Sequence, residues 1–249
     1  MGRKGGSRHL KSFAAPFFYP IPVKERKWVV KPSPGPHSID TSLPLLVVLR
    51  DVLRVVDNAR EGRRVISEGR ILVDGKIRRN YKFPVGFFDT ISIPDLGEHY
   101  RVVPTPTKVI GFIKIPEEEI YIKPLRIENK TAVKGGHIQL NLFGGYNILI
   151  KREEKEVKPS SDVYKTFDTV LVSLKDMKII DHIPLQENNL AIIVGGRNIG
   201  RLGFIKNVVP GMRHYRTIVS LEDLDKHLFQ TVLTYIYMVG RDKPVIKIS

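Results

Sequence analysis

The chain has 249 residues and is 42% hydrophobic, enough to bury more than one core, which excludes a disordered tail. Lys and Arg number 41 against 26 Asp and Glu, a net charge of +15 that calls for a polyanionic partner, nucleic acid ahead of anionic membrane. With no cysteine there are no disulfides or thiolate metal sites, which suits a reducing compartment. The longest apolar run, Leu43 to Leu49, is only about seven residues, far short of a membrane span. The basic start lacks the apolar core of a signal peptide, so a cytosolic protein is expected.

The charge is placed unevenly. Residues 1–36 hold eight basic and one acidic residue, whereas residues 95–170 hold twelve and eleven. Residues 1–41 form a basic, proline-rich arm with no helical or strand period. Arg3, Lys4, Arg8, Lys11, Lys24, Arg26 and Lys27 are its candidate phosphate contacts. They are interleaved with Phe13, Phe17, Phe18, Tyr19 and Trp28, rings that can stack on unpaired bases. Proline at this density keeps the backbone extended. The plain alternative is an idle basic tail, but such a tail would not carry five aromatics that must be kept out of water. The arm is expected to order only on assembly.

A helix is predicted from Leu43, because Leu45, Leu49, Val52, Leu53 and Val56 recur at three and four. A second helix begins at Asn58 as N-cap, with Glu61 at capping-box spacing, and stops at Gly69. Arg60, Arg63, Arg64 and Ser67 share one face of it; Ala59, Gly62 and Ile66 form the opposite face. A strand from Arg70 to Val73, the Asp74-Gly75 turn and a return over Lys76 to Arg78 make a hairpin. Arg78, Arg79 and Lys82 add basic residues behind it. Eight basic and three acidic residues lie between Arg60 and Lys82. Guanidinium forks at this spacing can follow a phosphate ladder; ordinary solvated arginines are the bland reading.

After residue 95 the chain reads as β. Expected strands are Tyr100–Val103, Lys108–Lys114, Ile120–Ile122, Arg126–Val133, His137–Phe143 and Tyr146–Ile150, then Thr169–Leu174. Gly135-Gly136 and Gly144-Gly145 mark turns, and Glu117 to Glu119 fall in a connection. Leu190, Ile192 and Val194 alternate before Gly195-Gly196-Arg197-Asn198, and Gly200 opens a second alternating strand.

The string Arg60-Glu61-Gly62-Arg63-Arg64-Val65-Ile66, followed by Gly69-Arg70-Ile71-Leu72-Val73-Asp74-Gly75-Lys76, resembles the S4-type (alpha-L) RNA-binding motif. The resemblance implies RNA contacts at Arg60, Arg63, Arg64, Arg70, Lys76 and Arg78. Gly62 replaces the more usual alanine and should weaken the helix by ~1 kcal/mol. Asn188 to Val208 resembles a KOW motif in an SH3-like barrel. Its glycine is Gly200, required by a backbone angle or by close approach of RNA, and Arg197, Asn198 and Arg201 are candidate contacts.

The order of these parts resembles one family, the archaeal and eukaryotic small-subunit ribosomal protein family S4e. Arg8-His9-Leu10-Lys11, Pro32-Ser33-Pro34-Gly35-Pro36-His37, Tyr81-Lys82-Phe83-Pro84-Val85-Gly86, Gly196-Arg197-Asn198-Ile199-Gly200-Arg201 and Phe229-Gln230-Thr231 carry the likeness. It implies an α+β multidomain protein: an extended basic arm (1–41), an S4-type α+β domain (42–94), a central all-β domain (95–172), and an SH3-like KOW β-barrel with C-terminal strands (173–249). The expected function is that of a non-catalytic structural constituent of the small ribosomal subunit in the cytoplasm. Its partners would be small-subunit rRNA and neighbouring small-subunit proteins, with no membrane, cofactor, metal or small-molecule substrate. Phe167 departs from the family pattern, standing where a glycine is expected before Asp168, and residues 210–228 match only loosely.

Other readings are weaker. Gly195 to Gly200 lacks the Lys and Ser/Thr of a P-loop. The seven histidines have no paired metal-ligand spacing. Consecutive Glu117, Glu118 and Glu119 cannot all face one site. An RNA-modifying enzyme would need a catalytic domain that is not visible here. A KOW-bearing transcription factor would not need the arm or the S4-type motif.

Overall fold

The computed structural model describes residues 7–151, 163–211 and 216–248. It is mostly β, with few helices, and divides into two compact units between Val102 and Val103.

In the first unit β1 (Leu10–Lys11) pairs antiparallel with β2 (Trp28–Val29). Next comes β3 (Ser42–Pro44), then α1 (Leu45–Val47), which continues as a π turn over Val48–Val52, and α2 (Ala59–Glu68). β4 (Leu72–Val73), β5 (Lys76–Ile77), β6 (Pro84–Gly86), β7 (Thr90–Ile93) and β8 (Glu98–Thr105), whose last three residues belong to the second unit, follow. β5, β4, β7 and β8 are neighbours in one sheet, and β3 pairs with β6.

The helix expected from Leu43 starts later. Ser42 to Pro44 are extended and paired, and Pro44 fixes the N-cap at φ −62, ψ 138, so helical turns begin at Leu45. Leu45, Leu46, Val47, Val48 and Leu49 are all fully buried, so α1 is covered all round rather than along one stripe. The helix does not reach Val56, because Arg54 sits at φ +53.

The arm, read as having no strand period, nonetheless holds the β1–β2 pair. Residues 7–41 are tied down by the chain's own groups. Ser12 N–H donates to Lys27 C=O at 3.1 Å, and Ser33 N–H to Lys82 C=O at 2.8 Å. Tyr19 is buried, which pushes its phenol pKa up. His37 is buried with Nε2 3.0 Å from Asp89 Oδ1, and that carboxylate also accepts Gly86 N–H at 2.9 Å.

The second unit holds β9 (Val109–Lys114), β10 (Ile122–Val133), β11 (His137–Leu142), β12 (Tyr146–Ile150), β13 (Thr169–Ser173) and β14 (Lys178–Ile183). After these come β15 (Leu190–Ile193), β16 (Leu202–Val209), β17 (Ile218–Glu222), β18 (Leu228–Val232) and β19 (Ile236–Gly240). Two antiparallel five-stranded sheets result, ordered β12-β11-β10-β13-β14 and β18-β17-β16-β15-β19. Leu125, Ile127, Leu140, Leu142, Val170 and Val172 form one core; Ala191, Ile193, Ile205, Val219, Leu221 and Met238 belong to the other.

The two strands expected around Pro124 are one. In β10, Ile127 N–H points to β13 and bonds Asp168 C=O at 2.8 Å, so by alternation Arg126 and Pro124 turn their nitrogens the other way. Proline fits there because no ladder bond is asked of it. The buried Tyr237 hydroxyl serves that edge, accepting Arg126 N–H and donating to Pro124 C=O, each at 2.8 Å. Burial pushes its pKa up.

Candidate nucleic-acid interface

α2 is built by its ends. Asn58 Oδ1 accepts the N–H groups of Arg60 (3.0 Å) and Glu61 (2.9 Å), the expected N-cap. Glu61 reaches back to Asp57 N–H at 3.1 Å, one residue earlier than a standard capping box. Gly69 closes the helix at φ +83, bonding Ile66 C=O, while Arg70 N–H reaches Val65 C=O. Gly62 and Ile66 are buried, which turns Arg60, Arg63 and Arg64 outward, and all three are exposed.

These arginines are not equivalent. Arg64 Nε bonds Glu68 Oε1 at 2.9 Å, and Arg70 Nε bonds Glu68 Oε2 at 2.9 Å. The hydrogen bond from Arg64 holds the Glu68 carboxyl below the usual glutamate range. Arg63 lies over the Tyr81 ring, 4.7 Å from its centroid, with Lys82 Nζ at 5.5 Å. Among the described residues Arg60 and Arg63 make no ion pair, so their charge is open to an outside anion.

The hairpin forms as expected. Asp74 (φ +53) and Gly75 (φ +71) make the two-residue turn, both left-handed. Asp74 is buried, with Oδ1 accepting Thr90 N–H at 3.0 Å, which locks the turn to β7. Lys76 is exposed at the turn, and Arg79 is exposed beyond it. Arg78 is half-buried, with its guanidinium 4.3 Å from the Phe83 centroid.

The segment from Asn80 to Phe83 joins these parts. Tyr81 and Phe83 carbonyls accept Leu46 and Leu45 N–H, at 3.1 and 2.9 Å, capping the start of α1. The Lys82 carbonyl instead accepts from the arm's Ser33. Tyr81, Phe83 and Glu68 are not among the site residues that the sequence suggests. Their spacing in the chain gives no sign that the rings and the carboxylate meet Arg63, Arg78 and Arg64.

In the arm Arg8, Lys11, Lys24, Arg26 and Lys27 are all exposed, whereas Arg3 and Lys4 lie outside the described residues. Trp28 stands 5.6 Å from the His9 ring and 5.6 Å from Lys27 Nζ, and Phe13 and Phe17 are exposed.

In the second unit Arg197 and Arg201 are exposed on the β15–β16 connection, with Arg201 5.7 Å over Phe229. Asn198 Nδ2 reaches Gln230 C=O at 3.3 Å. Gly200 has φ +79, and a side chain there would meet the Thr105–Pro106 backbone at 2.6 Å. The close approach that demands glycine is therefore made by the protein itself. His214 and Met212 lie outside the described residues. His182 sits in β14, its Nε2 2.8 Å from the buried Asp168.

The ribosomal family S4e model matches residues 96–179, an RS4NT domain residues 4–40 and an S4 domain residues 43–91. Small ribosomal subunit proteins eS4 from Staphylothermus marinus and Aeropyrum pernix are each 52% identical, over 100% of this chain and 98% of theirs. That of Methanocaldococcus jannaschii is 45% identical over the whole of both chains. The crystal structure of the 30S ribosomal protein S4e from Thermoplasma acidophilum gives a TM-score of 0.65 at 30% identity, covering 81% of this chain and 96% of that one.

Proposed function

Because the chain belongs to ribosomal family S4e and is a structural constituent of the small ribosomal subunit rather than an enzyme, we propose that it grips ribosomal RNA through the exposed guanidinium face of α2, the hairpin beside it and the arm. The carrying observation is that Arg60 and Arg63 project from a helix whose other face is buried and make no ion pair among the described residues. The matched S4 domain supports the RNA reading. The proposed contacts are Arg3, Lys4, Arg8, Lys11, Lys24, Arg26 and Lys27 in the arm; Arg60, Arg63, Arg64, Arg70, Lys76, Arg78, Arg79 and Lys82 on the platform; and Arg197, Asn198 and Arg201 in the second unit. Arg64 and Arg70 work from a shared ion pair with Glu68.

The parts divide as arm (1–41), S4-type domain (42–94), central β domain (95–172) and KOW barrel with C-terminal strands (173–249). The barrel reading is supported by the five antiparallel strands β15 to β19, by Gly200 at φ +79, and by the 3-10 turn Leu233–Tyr235 between β18 and β19. Recognition rests on phosphate position and RNA shape more than on base edges. Neighbouring small-subunit proteins and a cytoplasmic site complete the reading.

The test is a titration of small-subunit rRNA over a salt series. Replacing Arg60, Arg63 and Arg64 with alanine should lower the log–log salt slope by about two to three units, at roughly 0.7 to 0.9 per phosphate. An unchanged slope would remove α2 from the interface.

A further inference from the structure

A cleft of about 350 Å3 opens where the arm meets the platform, and its charged walls are Arg8, Lys31 and Lys82. The rest of the lining is serine and proline; no carboxylate lines it among the described residues. Segments far apart in sequence build it. Ser33 is the stitch: its N–H and its hydroxyl both donate to Lys82 C=O, at 2.8 and 3.1 Å, and the hydroxyl accepts Asn80 Nδ2–H at 3.3 Å. Lys31 Nζ donates to the Ser7 carbonyl, which fixes its ammonium at the wall. Arg8 is exposed and makes no ion pair among the described residues.

Three cations gathered around one cleft repel one another unless an anion enters. We propose that this cleft binds a backbone phosphate of ribosomal RNA, held by Arg8, Lys31 and Lys82. The proposal rests on the RNA-binding reading above and adds Lys31, which is not among the candidate contacts read from sequence. A phosphate suits the walls better than a base does, because no aromatic ring lines them and stacking has no platform. RNA suits them better than an acidic peptide, because the next residue along from Lys82 is Tyr81, whose ring carries Arg63. One RNA strand can therefore pass from the helix face to the arm.

The test uses the full chain and the same salt series. Arg8→Gln and Lys31→Gln should each lower the slope by about 0.7 to 0.9. Lys31→Arg should keep the wild-type slope, and Lys178→Gln, on β14, should leave it unchanged. Arg8 has no tie to the fold among the described residues, so its variant separates phosphate loss from loss of structure, and Trp28 emission reports the arm in both. A fall in both glutamine variants carries the proposal; silence in either overturns it. If both are silent while the triple alanine on α2 still lowers the slope, only the cleft is lost. If all are silent, the RNA reading goes with it. Poly-glutamate bound by the wild type and lost in Lys31→Gln, with the RNA slope unchanged, would make this a protein site and overturn the proposal.

Discussion

A methyl group added to Gly62 would stand 2.4 Å from Leu46 Cδ1 and 3.2 Å from Val56 Cγ2. α2 therefore packs on α1 at a separation that has no room for a side chain. Helix propensity alone says that Gly62→Ala should stabilise by ~1 kcal/mol. Overpacking against a fully buried Leu46 costs about 1–3 kcal/mol. The expected net result is a destabilisation of about 1 kcal/mol, read as a lower denaturation midpoint. A raised midpoint would show that Leu46 yields freely.

Tyr81 should matter to RNA through Arg63. A cation–π contact is worth about 0.5–1 kcal/mol, so Tyr81→Leu should weaken rRNA binding about two- to fivefold. Tyr81→Phe should bind as the wild type does. In an Arg63→Ala background Tyr81→Leu should cost nothing further. An undiminished loss there would mean that the ring acts on its own.

Glu68 restrains two arginines, and its charge opposes an incoming phosphate. Glu68→Gln should raise rRNA affinity a few-fold in 0.1 M salt, where facing charges still act over about 10 Å. The pH dependence follows from a carboxyl held below its usual range. Whatever stability the ion pair gives is present above the unfolded-state pKa and is lost as pH falls through the depressed folded value. The advantage of Glu68→Gln should accordingly persist at pH 5 and vanish only in stronger acid. Loss of the advantage near pH 6 would contradict this.

Tyr237→Phe removes one hydroxyl and leaves two buried backbone groups without it, Arg126 N–H and Pro124 C=O. At about 1–3 kcal/mol per unmet group, the second unit should lose roughly 2–6 kcal/mol in chemical denaturation. A loss under 0.5 kcal/mol would mean that other donors and acceptors replace the hydroxyl.

Phe167 occupies φ +71, a left-handed position, and its ring lies 5.6 Å from the Arg126 guanidinium. Phe167→Ala loses the ring and keeps the strain, whereas Phe167→Gly loses the ring and relieves it. Glycine should be the more stable of the two by about 1 kcal/mol. Equal midpoints would show that the backbone there is unstrained.

Much of the platform was legible because its signals are local. Asn58 caps, Gly69 stops the helix, and Asp74-Gly75 turns the hairpin, each through groups a few residues away. The glycine expected at position 167 came from the family resemblance alone; the left-handed angle that such a glycine serves is present, although the residue is Phe. The long strand through Pro124 was not legible, because proline reads as a break unless the free edge of the strand is known. Nor was the early end of α1, where apolar periodicity continued through Arg54 although the backbone did not.

Composition, charge order and short-range turn chemistry determined that this is a basic, RNA-directed chain with a capped arginine helix and a β-rich remainder, since such features need only neighbours in sequence. Tertiary structure alone decided which cations are free and which are held. Glu68 claims Arg64 and Arg70, Tyr81 carries Arg63, and Ser33, bonded to Lys82 across 49 residues of chain, brings Lys31 to the same cleft. Electrostatic and stacking energies depend on distance in space, and a one-dimensional pattern does not contain that distance.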